Sequence, residues 1–323
     1  MEKCAAAAAL ILVYITPVVS LVGILLSIIM LKIFTSNDFK DISFKYIKYQ
    51  TLFSLFNLII KVSQPIYYCK LYKCDISHTE FVQYYYIGIL TYVSSICEMV
   101  AQYCNIFSGL FCTIYVCEQM KIFKFLSFHK YTLILIVLLS GILFSFQIFQ
   151  KEIINKNDSY VTQNKNETYL SYFEYTANII RDGLSSLLLI IIDLLLLWKL
   201  RNIMKEKLRL LNLNLLNRVS ITNELINSDN KITVYSMNQI KVNRARRLQT
   251  ITILSNCINS LISRLPILIY YIIKINQPKI DTDSILFAST ALVIYVTNCV
   301  SFFIFYFSNE KFKSNFYNFC NVI

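Results

Sequence analysis

Seven long apolar stretches, each about twenty residues or more, constrain this chain more than any other feature. They run approximately over 9–34, 48–68, 84–116, 131–150, 178–200, 249–274 and 284–308. A helix rising ~1.5 Å per residue needs about twenty apolar residues to cross a ~30 Å hydrocarbon core, so each stretch matches one bilayer crossing. With 56% apolar residues and 15% charged, the 323-residue chain is too greasy for a soluble domain of its size. Lipid offers no partner to a backbone amide, so spans this long and this continuously apolar have to be helices rather than barrel strands. The expectation is an all-α fold: one domain over 1–323, a seven-transmembrane-helix bundle. Intervening segments are short apart from 201–248 and, less so, 151–177, which leaves no room for a separate soluble domain. The small-residue run in Met1–Ala9 resembles the start of a signal peptide, but the apolar stretch after it is too long for one and reads as a first span.

The net charge of +12 raises the question of nucleic acid, and its placement answers it. With the amino terminus outside, the inner segments hold twenty of the 31 Lys and Arg and the outer ones eight, while Lys61, Arg181 and Arg264 fall inside spans. That asymmetry follows the positive-inside rule and puts the carboxyl terminus in the cytoplasm, although the 201–248 segment carries much of it. The partner implied is membrane lipid, with no nucleic acid. Two Asn-x-Ser/Thr sequons begin at Asn157 and Asn166, both between the fourth and fifth spans, and glycosylation of either requires that segment to be external. The expected location is the plasma membrane.

Ten cysteines include Cys69 and Cys74 in the first outer segment, where oxidising conditions allow a bridge between them or to Cys4; the alternative is free thiols. With two His and no CxxC pair, no zinc site assembles, and no metal or other cofactor is expected. A GxSxG elbow, a phosphate-cradling glycine loop and a carboxylate pair on one helix face are all missing, so the chain is not read as an enzyme. Five glycines and no interrupted helix pair weigh against a carrier.

Two stretches carry a resemblance. Asn243-Arg244-Ala-Arg246-Arg247 leads into an apolar run containing Ser263-Arg264-Leu265-Pro266, and Asn298 to Lys313 is an aromatic run ending in Phe312-Lys313. The first resembles the sixth helix, and the second the seventh and eighth helices, of rhodopsin-like (class A) G-protein-coupled receptors, of the divergent invertebrate chemosensory or peptide-receptor type. In that resemblance Arg264 stands where the family has Trp, and Pro266 matches the kink-forming proline. The family's Asn-Pro-x-x-Tyr falls on Ser301 to Phe305, with Tyr306 one place late, so three defining residues differ. Thr113-Ile114-Tyr115 lies where Asp-Arg-Tyr is expected, so the arginine that meets the G protein is missing. Ser54-Leu-Phe-Asn57 corresponds to a Ser-x-x-Asp that helps hold sodium, the fourth span lacks its Trp, and the second outer segment lacks its usual Cys. The resemblance implies a short amphipathic eighth helix, with Cys320 either a palmitoyl anchor or an ordinary tail thiol.

It further implies an extracellular peptide or small-molecule ligand, a heterotrimeric G protein as partner, and a switch at Pro266, Ser301, Phe305 and Tyr306. Thr113, Ile114, Tyr115, Arg244, Arg246 and Arg247 would face the G protein. Ionisable residues inside a span cost about 2.5–3.5 kcal/mol each near the bilayer centre, so Glu98, Arg181 and Arg264 are expected to face the interior. They read either as contacts to a polar ligand or as an ion pair that holds helices together. Asp193 reads as an inward hydrogen bonder, and Lys61 as a side chain snorkelling to the surface. The 23 Tyr and 23 Phe read mostly as lipid-facing or packing residues. A channel or transporter subunit, or a receptor-like protein that does not signal, are the alternatives.

Overall fold

A computed structural model of the protein describes residues 7–8, 10–68, 79–116, 129–156, 159–164, 173, 176–220, 229–276 and 283–321. The helix α1 spans Leu10–Phe34 and α2 spans Ile42–Val62. Glu80–Tyr85, a π-wound Tyr86–Val93 and Ser94–Val116 follow one another as α3. Next come α4, Lys130–Gln150, and α5, whose π-wound start Ile179–Leu184 runs into Ser185–Ser220. Helix α6 is Asp229–Asn276, α7 is Asp283–Ser308 and α8 is Glu310–Cys320. The chain is a helical membrane bundle: α1, α3, α4, α5, α6 and α7 each hold a window long and apolar enough to cross a membrane. Helix α2 packs against both α1 and α3 and carries Lys45, Lys48 and Lys61.

Several boundaries differ from the sequence reading, each for a physical reason. The stretch 48–68 divides at Ser63, after which a short turn of helix, Gln64–Tyr68, begins with Pro65 in its first turn, where a missing N–H costs nothing. The intervening segment 201–248 is helical over its described residues, because Lys, Arg and Leu are good helix formers and extend α5 and α6 past their apolar parts. The all-α expectation fails in one place, a hairpin of β1, Lys151–Lys156, and β2, Ser159–Asn164, paired antiparallel with Lys151 opposite Asn164. Gln83 Oε1 accepts from the Thr162 N–H at 2.9 Å, and Lys151 donates to the Tyr86 hydroxyl at 3.2 Å, which seats the hairpin on the first turns of α3.

Helix α3 is the central one: 61% of its apolar window is buried, against 22% for α4. Close approach explains two of its contacts. A Cβ on Gly109 would lie 2.7 Å from Ile192 Cγ2 and 3.2 Å from Cys257 Sγ, so glycine lets α5 and α6 pack directly on α3. The outward faces of α1, α4 and α5 stay apolar and exposed, with Leu25, Leu138, Ile142 and Leu194 among them, as lipid contact requires.

At the end of the bundle opposite the hairpin, the chain leaves α7 through Asn309, whose extended backbone and Oδ1, accepting from the Phe312 N–H at 3.0 Å, cap α8. Phe312 is fully buried in a ring cluster with Phe34, Phe39, Phe302 and Phe305, centroids 5.7 to 6.4 Å away. The cluster fixes α8 against α1 and α7.

Candidate functional site

Positions four apart on a helix share a face, and on α3 that rule aligns Ser94, Glu98 and Gln102, with Asn105 continuing the line. All four are buried. A polar stripe down the central helix has to find partners, and it does so from three other helices, α2, α5 and α6.

Glu98 is the hub. Its Oε1 accepts from Asn57 Nδ2 of α2 at 3.2 Å, and Asn57 is held in turn by Ser94 Oγ, donating to its Oδ1 at 2.8 Å. Its Oε2 faces Arg264 Nη1 of α6 at 3.4 Å and Arg181 Nη1 of α5 at 3.7 Å. Asp182 closes the set: it takes a bidentate contact from Arg181, with Nη2 at 2.6 Å and Nε at 3.0 Å, and faces Arg264 Nη1 at 3.4 Å. Each of these four ionic side chains is at most 10% exposed. Two carboxylates and two guanidiniums therefore form a neutral, desolvated quartet joining α3, α5 and α6, and its geometry shows unequal pairing. Arg181 is gripped by its neighbour Asp182, whereas Arg264 is shared at longer range between two acids.

Below the quartet, Gln102 Nε2 donates to Ser185 Oγ, which itself donates to the Arg181 carbonyl. Asn105 Oδ1 accepts from Asn256 Nδ2 of α6 at 2.7 Å, and the same amide reaches Gln50 Oε1 of α2 at 3.1 Å. A small cavity lies between these layers, lined by Gln102, Asn259, Ser263, Arg264, Thr297 and Asn298.

The sequence-derived residues thus divide into groups. Glu98, Arg181 and Arg264 are brought together, while Lys61, expected to snorkel, is half-buried and points at α3, its Nζ 3.5 Å from the Leu90 carbonyl. Asp193, expected to hydrogen-bond between helices, is buried with neither carboxylate oxygen partnered among the described residues. Pro266 lies inside α6, two residues after Arg264, where it removes one backbone hydrogen bond. Ser301 Oγ accepts from Asn259 Nδ2 at 3.0 Å. Phe305 is fully buried in the ring cluster, and Tyr306 instead meets Tyr317 of α8, hydroxyl to hydroxyl at 3.1 Å. Thr113, Ile114 and Tyr115 sit near the far end of α3, with Ile114 buried and Thr113 Oγ1 bonded to the Gly109 carbonyl at 2.9 Å. Arg244, Arg246 and Arg247 lie on the early turns of α6. Cys320 is an exposed thiol in the last turn of α8. Asn157, Asn166, Cys69 and Cys74 lie outside the described residues.

Sequence reasoning passed over Asp182, the most buried of the four charges. Its signal was available: an Arg-Asp dipeptide entering an apolar run can neutralise itself, and the π winding over Ile179–Leu184 brings both side chains inward. The Asn105–Asn256 contact was missed as well, although Asn105 lies seven residues past Glu98 on the same face. Among the described residues no group of three or more His, Cys, Asp and Glu is placed to hold a metal. No protein-family model matches the chain, and no curated protein matches it.

Proposed function

We propose that the chain is a receptor of the rhodopsin-like, seven-helix type, with α2 as its remaining span and α8 lying on the inner membrane surface. The amino terminus and the hairpin face outside, and the carboxyl terminus is cytoplasmic. The observation that carries this reading is the quartet at the Pro266 level: charges from α3, α5 and α6 meet beside the residue that weakens α6. A polar peptide or small molecule entering from the hairpin end competes for Arg264, the loosest member, and frees α6 from Glu98 and Asp182. The inner part of α6, bearing Arg244, Arg246 and Arg247, then moves outward and opens a groove to a heterotrimeric G protein. This is a population shift between two packings, and the ligand drives it only by its differential affinity for them.

The test is nucleotide exchange on a panel of G proteins with the folded, surface-expressed chain, wild type against Ile114→Arg, across peptide and odorant extracts. Exchange stimulated by an extract in the wild type supports the reading. A second reading, a conducting or transporting subunit, is favoured by one observation, the polar layers from Glu98 through Gln102 to Asn105 and Asn256 along the bundle interior. Ligand-gated current or flux with no exchange in either form would replace the receptor by that reading.

A further inference from the structure

One buried acid takes no part in the quartet or in the polar layers beneath it. Asp193 lies on α5 in line with Asp182 and Ser186, at helical spacings of four and seven residues, and all three are buried. That line faces α6, since Asp182 meets Arg264 at 3.4 Å. The two helices are consecutive spans and run antiparallel, so Asp193, eleven residues further along α5, is level with the part of α6 that holds Ile253, Leu254 and Cys257. Those three belong to one apolar cluster with Leu189, Ile192 and Leu196 of α5. Asp193 is 6% exposed, and neither of its carboxylate oxygens has a partner among the described residues. It lines neither the cavity at Arg264 nor a second one between Ser27, Gln50, Thr51 and Asn256.

The surroundings offer this acid no counter-charge. The titratable groups that face it are the Cys257 thiol of α6 and, next to that, the Cys112 thiol of α3. The charged residues of these three helices stand elsewhere. Glu98, Arg181, Asp182 and Arg264 are engaged with one another ~16 Å away along α5, Lys199 lies six residues further on, and Arg247 lies ten residues before Cys257. An isolated ionised carboxylate in an apolar interior is so costly that the group takes up a proton instead. A metal ion would need several more oxygen ligands, which an apolar cluster does not supply. We infer that Asp193 is a proton-binding site: in this packing of α5 on α6 its carboxyl carries a proton, and parting of the two helices admits water and releases that proton to the cytoplasmic side. The closed seam then binds one proton more than the parted one. Its advantage is full below the ordinary Asp range, about 3.9, and falls as the pH rises, by about tenfold in population per pH unit, until the buried group ionises too. Where the receptor reading holds, cytoplasmic pH sets the equilibrium of α6 on which a ligand acts; the proton site itself does not rest on that reading.

The experiment uses the purified full chain in lipid nanodiscs, with neither ligand nor G protein. At neutral pH the infrared spectrum should show the carbonyl stretch of a protonated carboxylic acid, missing from Asp193→Asn and fading from the wild type as the pH is raised. Opening of the seam is read by maleimide modification of Cys257, followed by peptide mass spectrometry. Asp193→Asn keeps the thiol and needs no proton, so the ratio of the wild-type rate to that of the variant isolates the acid; it should rise about tenfold per pH unit where the two packings differ by one proton. Asp193→Val serves for the same comparison where Asn does not fold, and the fading band needs no variant. A neutral-pH spectrum without the protonated band, or a rate ratio independent of pH, would overturn the assignment. So would a ratio that follows sodium concentration at fixed pH, which would transfer the site to a cation. None of these readings involves signalling, so a failure here and a failure of the receptor reading are told apart.

Discussion

Glu98→Gln is the substitution that most directly weighs the buried quartet. At an effective dielectric of ~20, unit charges about 4 Å apart attract by about 4 kcal/mol. The contacts of Glu98 with Arg264 at 3.4 Å and Arg181 at 3.7 Å are of that order before desolvation is counted. Gln keeps the acceptor for Asn57 and nearly the same volume, so the loss isolates charge. Breaking a buried pair by removing one partner costs about 3–5 kcal/mol, most of it the penalty of the charge left behind. Asp182 still holds Arg181 at 2.6 Å and Arg264 at 3.4 Å, which puts the expected loss at the lower bound, ~3 kcal/mol. Unfolding can be read by a thiol-reactive dye on Cys104, Cys112 and Cys257, all fully buried, in a background where Cys4, Cys69, Cys74, Cys117, Cys299 and Cys320 are Ser. The double variant Glu98→Gln with Arg264→Gln should recover at least ~1 kcal/mol relative to the sum of the singles, because it removes an acid and the base it serves together. A Glu98→Gln protein within ~0.5 kcal/mol of wild type, or strict additivity in the cycle, would refute the reasoning.

Two glycines give a contrasting pair in the same dye assay. Gly109→Ala should lose about 1–3 kcal/mol, since its Cβ would press on Ile192 Cγ2 at 2.7 Å. Gly88→Ala, with nothing within 4 Å of the new Cβ, should be neutral or gain up to ~1 kcal/mol. Phe312→Ala should cost about 3–5 kcal/mol and abolish hydrogen-exchange protection in α8 while leaving that of α3 intact; retained protection in α8 would show that the ring cluster is not what holds it.

How much of this was legible in advance follows from what each signal measures. Apolar runs report the length of chain that lipid can accept, so they located the long helices, but they are blind to helix that continues into water. That is why 201–248 stands between spans in the sequence, while its described residues continue α5 and begin α6. The ionic residues Glu98, Arg181 and Arg264 stood out because a charge in an apolar run has to be paid for by a partner. Which partner was not legible, since pairing depends on helix rotation: Arg181 turned out to hold its own neighbour Asp182 most tightly. The hairpin was hidden for a different reason. Its strands are short and mixed in polarity, and their seat is two side-chain contacts on α3 that no local pattern announces.

The unequal pairing within the quartet also orders the steps by which the chain enters its membrane. Arg181 and Asp182 are adjacent and leave the ribosome together, so α5 brings its charge already cancelled. Glu98 emerges 166 residues before Arg264 and has to wait for it. Asn57, made 41 residues before Glu98, and Ser94 on its own helix are at hand to hold the carboxylate meanwhile. The amide of α2 is thus a guardian for an acid whose true counter-charge arrives with one of the last helices, and the insertion of α6 is the event that completes the interior.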